Sequence, residues 1–371
     1  METAILRGAK RMRAAKGNVS RIVWVDYLKV FAILLVLMGH CIQFGNGADY
    51  YCFNNRIYIW IYSFHMPLFA IISGYFLHFS VSKKLLGESL RSKIMKILVP
   101  IISWQFVINL FWCARSVYAA IVGNMERVTL KNILGMLFAP YRYLYTNMWF
   151  LWAVLVCSCL IMGVKHWFHD SILAYGVLIL MTWLIPVYEV QLMVWLLPFF
   201  IAGYFGGGQK ASRILNDWIL LVSLAVHIGI LLEWRSSIYI YNEVGATLYI
   251  FGEQCSIVQH IIFNLIRILS GISGSYVVIS VFYKMRKWMC SRRLNAGVQT
   301  IAKYSMSIYV SSVYMFNQFL RDQAGLNYNL GRNVMQTVVI LIASVFVSDL
   351  LYKNSITRAF FYGTLGSEKN E

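Results

Sequence analysis

The feature that most constrains this chain is a succession of long apolar runs separated by short polar segments. Each run approaches the ~20 residues that a helix needs to cross a bilayer. Because lipid offers the backbone no hydrogen-bond partner, every crossing segment has to be helical. The sequence therefore predicts an all-α, polytopic membrane helix bundle with about ten transmembrane helices. The runs cover 22–44, 57–79, 94–114, 148–164, 171–186, 190–206, 215–233, 256–283, 298–319 and 334–352.

Composition supports the same class. Hydrophobic residues make up 59% of the 371 residues and charged residues only 13%, whereas soluble domains are about 25% charged. The net charge of +18 would suggest nucleic acid in a soluble protein, but the basic residues lie between apolar runs, as topology signals and lipid contacts do. We expect no nucleic-acid partner. The seven cysteines are scattered, which argues against a disulfide framework.

The basic residues also predict an orientation. If the N-terminus is cytoplasmic, 22 of the 33 Lys and Arg residues fall in cytoplasmic segments, eight fall outside and three fall within runs. This bias favours an even number of crossings with both termini in the cytoplasm. We divide the chain into a basic N-terminal tail (1–20), an integral membrane domain (21–356) and a cytoplasmic C-terminal tail (357–371). The first run lacks a cleavage site and is expected to remain as a span.

The first run, "VDYLKVFAILLVLMGH", carries three ionisable residues. Asp26 and Lys29 are three residues apart and able to pair on one helix. Lys29 and His40 are eleven residues apart, which places them on one face and ~16 Å apart along the axis. The alternatives are an interfacial anchoring pair and a histidine bonded within the bundle. Three ionisable groups on one membrane-embedded face favour a functional site.

The second run contains "YSFHMPLFAIISGYF" and crosses in the opposite direction. His65 is therefore predicted near the same outer depth as His40, where both imidazoles would share a cavity. Pro67 and Gly74 permit an irregular helix or close helix packing. A simple packing motif with one hydrogen-bonded histidine is an equally open interpretation.

These residues resemble the acyltransferase-3 family of integral membrane acyltransferases. The resemblance rests on Lys29 followed by ten residues and then His40, and on "FHMPLFAIISGYF" at 64–76. It continues in "LRSKIMKILVP" at 90–100 and "MWFLWAVLVC" at 148–157, with weaker matches in "LLPFFIAGYF" and "IAKYSMSIYVSS". The chain departs from the family pattern at Lys29, where Arg is common, at Val30, where Gly is usual, and at Ser311 or Ser312, where a His is frequent.

The resemblance implies transfer of an acetyl or other short acyl group from acyl-CoA to a hydroxyl of an exported or surface glycan. Acetyl-CoA would be a donor substrate, with no permanently bound cofactor and no metal. Lys29, Arg91, Lys93 and Lys96 would bind or support the anionic donor, with Asp26 and His65 in supporting roles. Plain topological anchoring is the alternative for the basic run. His40 would act as general base, or carry the acyl group transiently.

The acceptor side is less specific. Tyr and Trp residues enrich the outer segments, where Trp149 suits stacking on a sugar ring and Glu189 offers an alternative acid or base. An interfacial aromatic belt explains the same aromatics. The expected partners are acyl-CoA, a hydroxyl acceptor and the bilayer, and the oligomeric state stays open. The family resemblance implies a cell membrane, specifically a bacterial inner membrane.

A multi-pass transporter or flippase is the competing class. It would also have about ten spans, buried charges and helices interrupted by Pro or Gly. A proton-coupled transporter would be expected to bury several carboxylates, and the later runs contain almost none. The polar inventory therefore favours the acyltransferase.

Overall fold

A computed structural model describes most of the chain, and every regular element among the described residues is helical. The described residues are 22–46, 51–82, 85–122, 129–138, 148–185, 188–235, 238, 257–289, 292–319 and 327–364, without the side chains of 188–189, 257, 260, 292 and 313–319. The predicted N-terminal tail, 1–20, and the end of the C-terminal tail lie outside this set.

Fifteen α-helices, α1 to α15, follow one another along the described residues. In chain order they are Val23–Phe44, Arg56–Val81, Leu86–Lys93, Val99–Ile121, Leu130–Phe138, Trp149–Phe168, Ile172–Trp183, Tyr188–Val194, Leu197–Gly207, Ala211–Ile214, Asp217–Leu232, Ile257–Met285, Arg292–Phe319, Leu330–Lys353 and Ser355–Tyr362. A π-helical segment, Ile94–Leu98, joins α3 to α4.

The all-α polytopic membrane architecture is confirmed. Within the described residues, seven helical stretches are long and apolar enough to cross a membrane, and α7 and α11 are shorter apolar helices. The ninth predicted run corresponds to most of α13, which is 28 residues long but less apolar because its first half carries charged and amide side chains. Ten crossings and two cytoplasmic termini stay predictions. The seven stretches are Val23–Phe44, Arg56–Val81, Leu86–Ile121, Trp149–Phe168, Val190–Gly207, Ile261–Trp288 and Leu330–Lys353.

Two elements extend beyond the predicted runs. The third run, 94–114, belongs to a continuous 36-residue stretch that starts at Leu86. After α14, α15 packs against the start of α4, where Phe361 meets Trp104 with ring centroids 4.9 Å apart. Gly363 then adopts φ +62°, and a Cβ there would lie 1.8 Å from the Met95 carbonyl oxygen. The glycine thus lets the chain end of α15 press on the π-helical segment.

The helices α1, α2 and α9 form the centre of the bundle. Asn55 caps α2 by accepting hydrogen bonds from the backbone N–H groups of Ile57 and Tyr58, each at 3.0 Å. A Cβ on Gly74 would lie 2.1 Å from the Phe200 carbonyl oxygen, and one on Gly203 would lie 2.0 Å from that of Ile71. The α2 and α9 backbones therefore touch, as small residues allow in membrane helices.

Candidate active site

A cavity of about 330 Å³ lies between α1, α2, α6, α13 and the π-helical segment. Its volume is within the range of small-molecule sites. Two lysines and three hydroxyl-bearing side chains interrupt otherwise apolar walls, which gives an apolar chamber with charge at selected points. The lining residues are Lys29, Ile33, Val36, Met66, Phe69, Ile72, Ser73, Phe76, Lys93, Ile97, Phe150, Leu151, Val154, Ser305, Met306 and Tyr309.

Lys29 is one of the two charged groups in the cavity wall. Its Nζ lies 4.1 Å from the centroid of the Phe76 ring, a cation–π contact that orients the ammonium group. Ile33 and Val36 continue the same stripe of α1 along the wall. His40 is the next residue at this helical spacing. The predicted alignment of Lys29 with His40 thus corresponds to the face of α1 that lines the cavity.

Lys93 supplies the second charge. It is the last residue of α3, directly before the π-helical segment, and Ile97 within that segment also lines the cavity. π-Helical turns frequently occur at functional sites because they re-aim the side chains that follow. The structure separates the predicted basic trio: Lys93 lines the cavity, whereas Arg91 and Lys96 are exposed and are not among its lining residues.

His65 lies beyond the cavity end of α2 and is 3% exposed. Its Nδ1–H donates a hydrogen bond to the Ile61 carbonyl oxygen at 2.8 Å. A carbonyl oxygen only accepts, so the proton of the neutral ring is on Nδ1 and Nε2 keeps its lone pair. Met66, the next residue, lines the cavity.

Gln43 and Tyr62 connect the two histidines. Gln43 forms a side-chain hydrogen bond with His40 and accepts one from the Tyr62 hydroxyl at 3.3 Å. The Tyr62 ring meets the His65 ring edge-on, with centroids 4.6 Å apart. A Cβ on Gly39 would lie 2.7 Å from Tyr62 Cε2, so the glycine before His40 makes room for this ring.

Tyr309 links the histidine pair to the cavity. This residue of α13 lines the cavity and lies within electrostatic range of Tyr62. Its ring packs edge-on against Phe150 at 6.0 Å. Tyr309 is therefore the cavity-lining polar residue that lies towards the Tyr62, His40 and His65 group.

Asp26 has a different environment. It is 6% exposed, lies in the first turn of α1 and is not among the cavity-lining residues. A carboxylate there is stabilised by the partial positive charge of the helix N-terminus. Among the described residues, Asp26 is the one buried carboxylate, which does not fit the carboxylate relay of a proton-coupled transporter.

Two residues were predicted on the acceptor side, and the one whose side chain is described, Trp149, is not among the residues that line the cavity. Trp149 is half-buried at the start of α6 and packs edge-on against Phe150 at 6.1 Å. The Glu189 side chain lies outside the described residues. Ser311 and Ser312 donate hydrogen bonds to carbonyl oxygens of their own helix, Ile308 and Tyr309, at 3.4 and 2.8 Å. Within the described ranges, no three His, Cys, Asp or Glu side chains converge on a metal site.

Gln43, Tyr62, Phe76 and Tyr309 were not singled out from the sequence as site residues. Gln43 follows His40 by three positions and Tyr62 precedes His65 by three, a spacing that places each pair on one helix face. That spacing is the sequence signal from which Gln43 and Tyr62 were predictable as neighbours of the histidines. Phe76 and Tyr309 were predicted only as parts of quoted motifs, because their contacts depend on other helices.

The comparisons with known proteins identify the family of the chain. The family model described as "Acyltransferase domain", of the acyltransferase-3 family, matches residues 22–353. The Nodulation protein NolL of Mesorhizobium japonicum is 24% identical over 96% of this chain and 93% of its own length. That of Sinorhizobium fredii is 25% identical over 66% of each chain. No solved structure matches. The chain therefore belongs to the acyltransferase-3 family and is a multi-pass membrane acyltransferase.

Proposed function

We propose that this acyltransferase moves an acetyl or other short acyl group from acyl-CoA to a hydroxyl of an exported or surface glycan. The observation that carries the proposal is the cavity that combines Lys29 and Lys93, because its α1 wall of Lys29, Ile33 and Val36 is the helix face on which His40 follows one turn later. An anionic donor needs the cations at one end, and proton abstraction needs the imidazole at the other.

The donor enters from the cytoplasm, at the end of the bundle where α1 begins and α3 ends. Lys29 and Lys93 attract the phosphates of CoA, as point charges rather than bidentate forks. The apolar walls, including Phe76 and Val36, accept the pantetheine arm and its thioester. Arg91 and Lys96 stay at the entrance and add to the basic surface that draws the donor in.

Transfer takes place at the histidine end. Neutral His40 takes the proton of the acceptor hydroxyl, and the oxygen attacks the thioester carbonyl. The C–S bond breaks as the new C–O bond is completed, and the CoA thiolate takes the proton from the His40 imidazolium to leave as the thiol. In the covalent alternative, a His40 ring nitrogen attacks the thioester first, the C–S bond breaks, and CoA leaves as the thiol with the imidazole proton. The acceptor hydroxyl then attacks the acyl-imidazole, and its proton passes to the released imidazole. Gln43 and Tyr62 are positioning residues that hold the His40 ring.

The acceptor reaches His40 from the opposite side of a bacterial inner membrane, where Trp149 stacks on the sugar and Glu189 is the alternative acid or base. Asp26, in the first turn of α1, helps to hold the end of the helix that carries Lys29. His65, whose Nδ1–H donates to the Ile61 carbonyl oxygen, has a supporting role next to His40. No resident cofactor takes part.

The test uses purified protein in lipid nanodiscs, because both faces are then accessible. Labelled acetyl-CoA is supplied with glycan extracts, and acyl transfer is measured by mass spectrometry. We expect acyl-glycan product with wild-type protein and about 10²–10⁴-fold slower formation with His40→Ala, while both bind donor. Acyl transfer without a thioester donor would contradict the proposal. So would a Lys29→Ala, Lys93→Ala double variant that binds the donor as tightly as wild-type protein.

Orientation is tested in intact cells by cysteine labelling. Engineered sites in 284–297 should resist a membrane-impermeant thiol reagent, and sites in 115–122 should react. Efficient labelling of 284–297 would reverse the assignment of the donor side.

A further inference from the structure

A second hollow lies on the other side of the α1–α2 pair. This groove, of about 210 Å³, is bordered by α1, α2, α9, α10 and α12. Leu28, Ile71, Ile72, Ile272 and Ile279 form its interior. Such a surface, in a bundle that lipid surrounds, holds hydrocarbon rather than water.

Glycines of α9 shape the groove. Gly203 brings the α9 backbone against the Ile71 carbonyl oxygen, where a Cβ would lie 2.0 Å away. Gly206, one turn later, also lines the groove, and a Cβ there would meet no atom within 4 Å. The helix is thus closely packed at one glycine and leaves open space at the next.

The groove becomes polar towards one end. The groove is lined at this end by polar and aromatic side chains: Trp24, Tyr75, Gln209 and Tyr276. The Tyr276 hydroxyl donates to the Ile214 carbonyl oxygen and accepts from the Asn216 N–H, both at 2.9 Å. These bonds fix the connection between α9 and α11 over the polar end of the groove.

That connection carries two cations. Lys210 follows the lining residue Gln209, and Arg213 lies between the lining residues Ala211 and Ile214. Both are exposed, and neither forms an ion pair with a described residue. Nearby, Lys284 at the end of α12 is already paired with Asp217. The apolar interior and the two cations together match a hydrocarbon chain attached to a phosphate.

We propose that this groove binds one anionic phospholipid, with an acyl chain in the interior and the phosphate at Lys210 and Arg213. Charge complementarity selects the lipid, because two basic residues at a membrane surface favour anionic headgroups. The site is separate from the donor cavity, since Lys29 and Lys93 do not line it.

The two hollows nevertheless share a wall. Ile72 lines both, and Leu28 and Tyr75 of the groove adjoin Lys29 and Phe76 of the cavity along their helices. A bound chain therefore supports the α1–α2 wall against which Lys29 is held. Lipid binding needs no acyl donor and is independent of the proposed acyl transfer.

The test is retention of added lipid by delipidated protein, measured by native mass spectrometry with phosphatidylglycerol and phosphatidylcholine as probes. We expect wild-type protein to retain one phosphatidylglycerol in preference to phosphatidylcholine. The Lys210→Gln, Arg213→Gln double variant should lower the preference for phosphatidylglycerol over phosphatidylcholine by about 30-fold. Gly206→Leu should fill the groove and lower retention of either lipid at least about tenfold. Gly229→Leu is the matched control, because Gly229 is exposed on α11 with no atom within 4 Å of its Cβ position.

Three results would overturn the proposal: equal retention of both lipids by wild-type protein, an unchanged preference in the Lys210 and Arg213 variant, or the same loss in Gly229→Leu. A dimer that disappears in Gly206→Leu, without any lipid, would assign the groove to a second copy of the chain. If Gly206→Leu does not fold, Ala202→Leu serves as the second groove-filling variant, since Ala202 also lines the groove.

Discussion

Two hollows flank the same pair of helices, and their chemistry differs. The cavity of about 330 Å³ contains Lys29, Lys93, Ser73 and Tyr309, whereas the groove of about 210 Å³ has an aliphatic interior and polar groups at one end. Successive residues of one helix supply both, because they point about 100° apart.

Two charged residues of this bundle, Lys29 and Lys93, lie where they face the cavity and not the surrounding lipid. An ammonium group in hydrocarbon is costly, and Lys29 lies against the Phe76 ring inside the cavity rather than towards lipid. One position earlier, Leu28 faces the groove. This division is the reason that we propose the cavity as the reaction path and the groove as the site of a lipid ligand.

Loss of His40 should have the largest effect. His40→Ala should lower kcat about 10²–10⁴-fold, the usual consequence of losing a general base, with donor binding and expression retained. The assay is acyl transfer by purified protein in lipid. His78→Ala is the control on α2, since His78 packs on Tyr204 away from the cavity. Equal losses in the two variants, or wild-type transfer by His40→Ala, would move the chemistry to His65 or an outer Glu.

Removing the Lys29 charge should come next. Lys29→Ala should raise the Kd for acyl-CoA roughly 10- to 100-fold, because a charged contact to phosphate is lost. Lys29→Arg should keep much of the affinity, as the family commonly has Arg there. Donor titration by calorimetry measures both. An unchanged Kd in Lys29→Ala would reduce this residue to an anchor of α1.

Lys93 should matter more than its basic neighbours. Lys93→Ala should raise the donor Kd about tenfold, and more at low salt, since the contact is between charges. Lys96→Ala and Arg91→Ala are the matched controls, because both residues are exposed outside the cavity wall. If all three variants have the same Kd, the basic run acts as a surface and not through the cavity.

The smallest effect should come from the positioning residues. Gln43→Leu removes the side chain that bonds both His40 and the Tyr62 hydroxyl. We expect kcat to fall roughly 3- to 10-fold, with the KM for the donor unchanged, because the donor end is not touched. Tyr62→Phe should reproduce the effect in part. A fall in thermal stability that accounts for the whole loss, or a changed KM alone, would argue against a positioning role.

Part of the site was readable from the sequence because it depends on one helix. The spacing of Lys29 and His40 determines a shared face whatever surrounds α1. The placement of Lys93 could not be predicted in the same way. The sequence offered Arg91, Lys93 and Lys96 as equivalents, and the π-helical segment after Lys93 decided which of them borders the cavity.

Family and fold class were likewise predictable: the family model confirms the family, and the helices of the structure confirm the fold class. The contacts of Tyr309 and Phe76 were not, because each joins helices far apart in the chain. The groove was not predictable from the sequence either. Its interior residues, such as Leu28 and Ile272, are indistinguishable from other apolar residues of a membrane span.

The sequence by itself determined that this chain is a helical membrane protein of the acyltransferase-3 family and that Lys29 and His40 share a helix face. Hydropathy and helical periodicity are local properties, so a single sequence carries them. The tertiary structure alone decided that Lys93 joins Lys29 in one cavity while Arg91 and Lys96 remain outside, that Tyr62 and Gln43 connect the two histidines, and that α9 opens a groove at Gly206. These features arise from the packing of helices against one another, where close backbone contacts at Gly74 and Gly203 set the spacing.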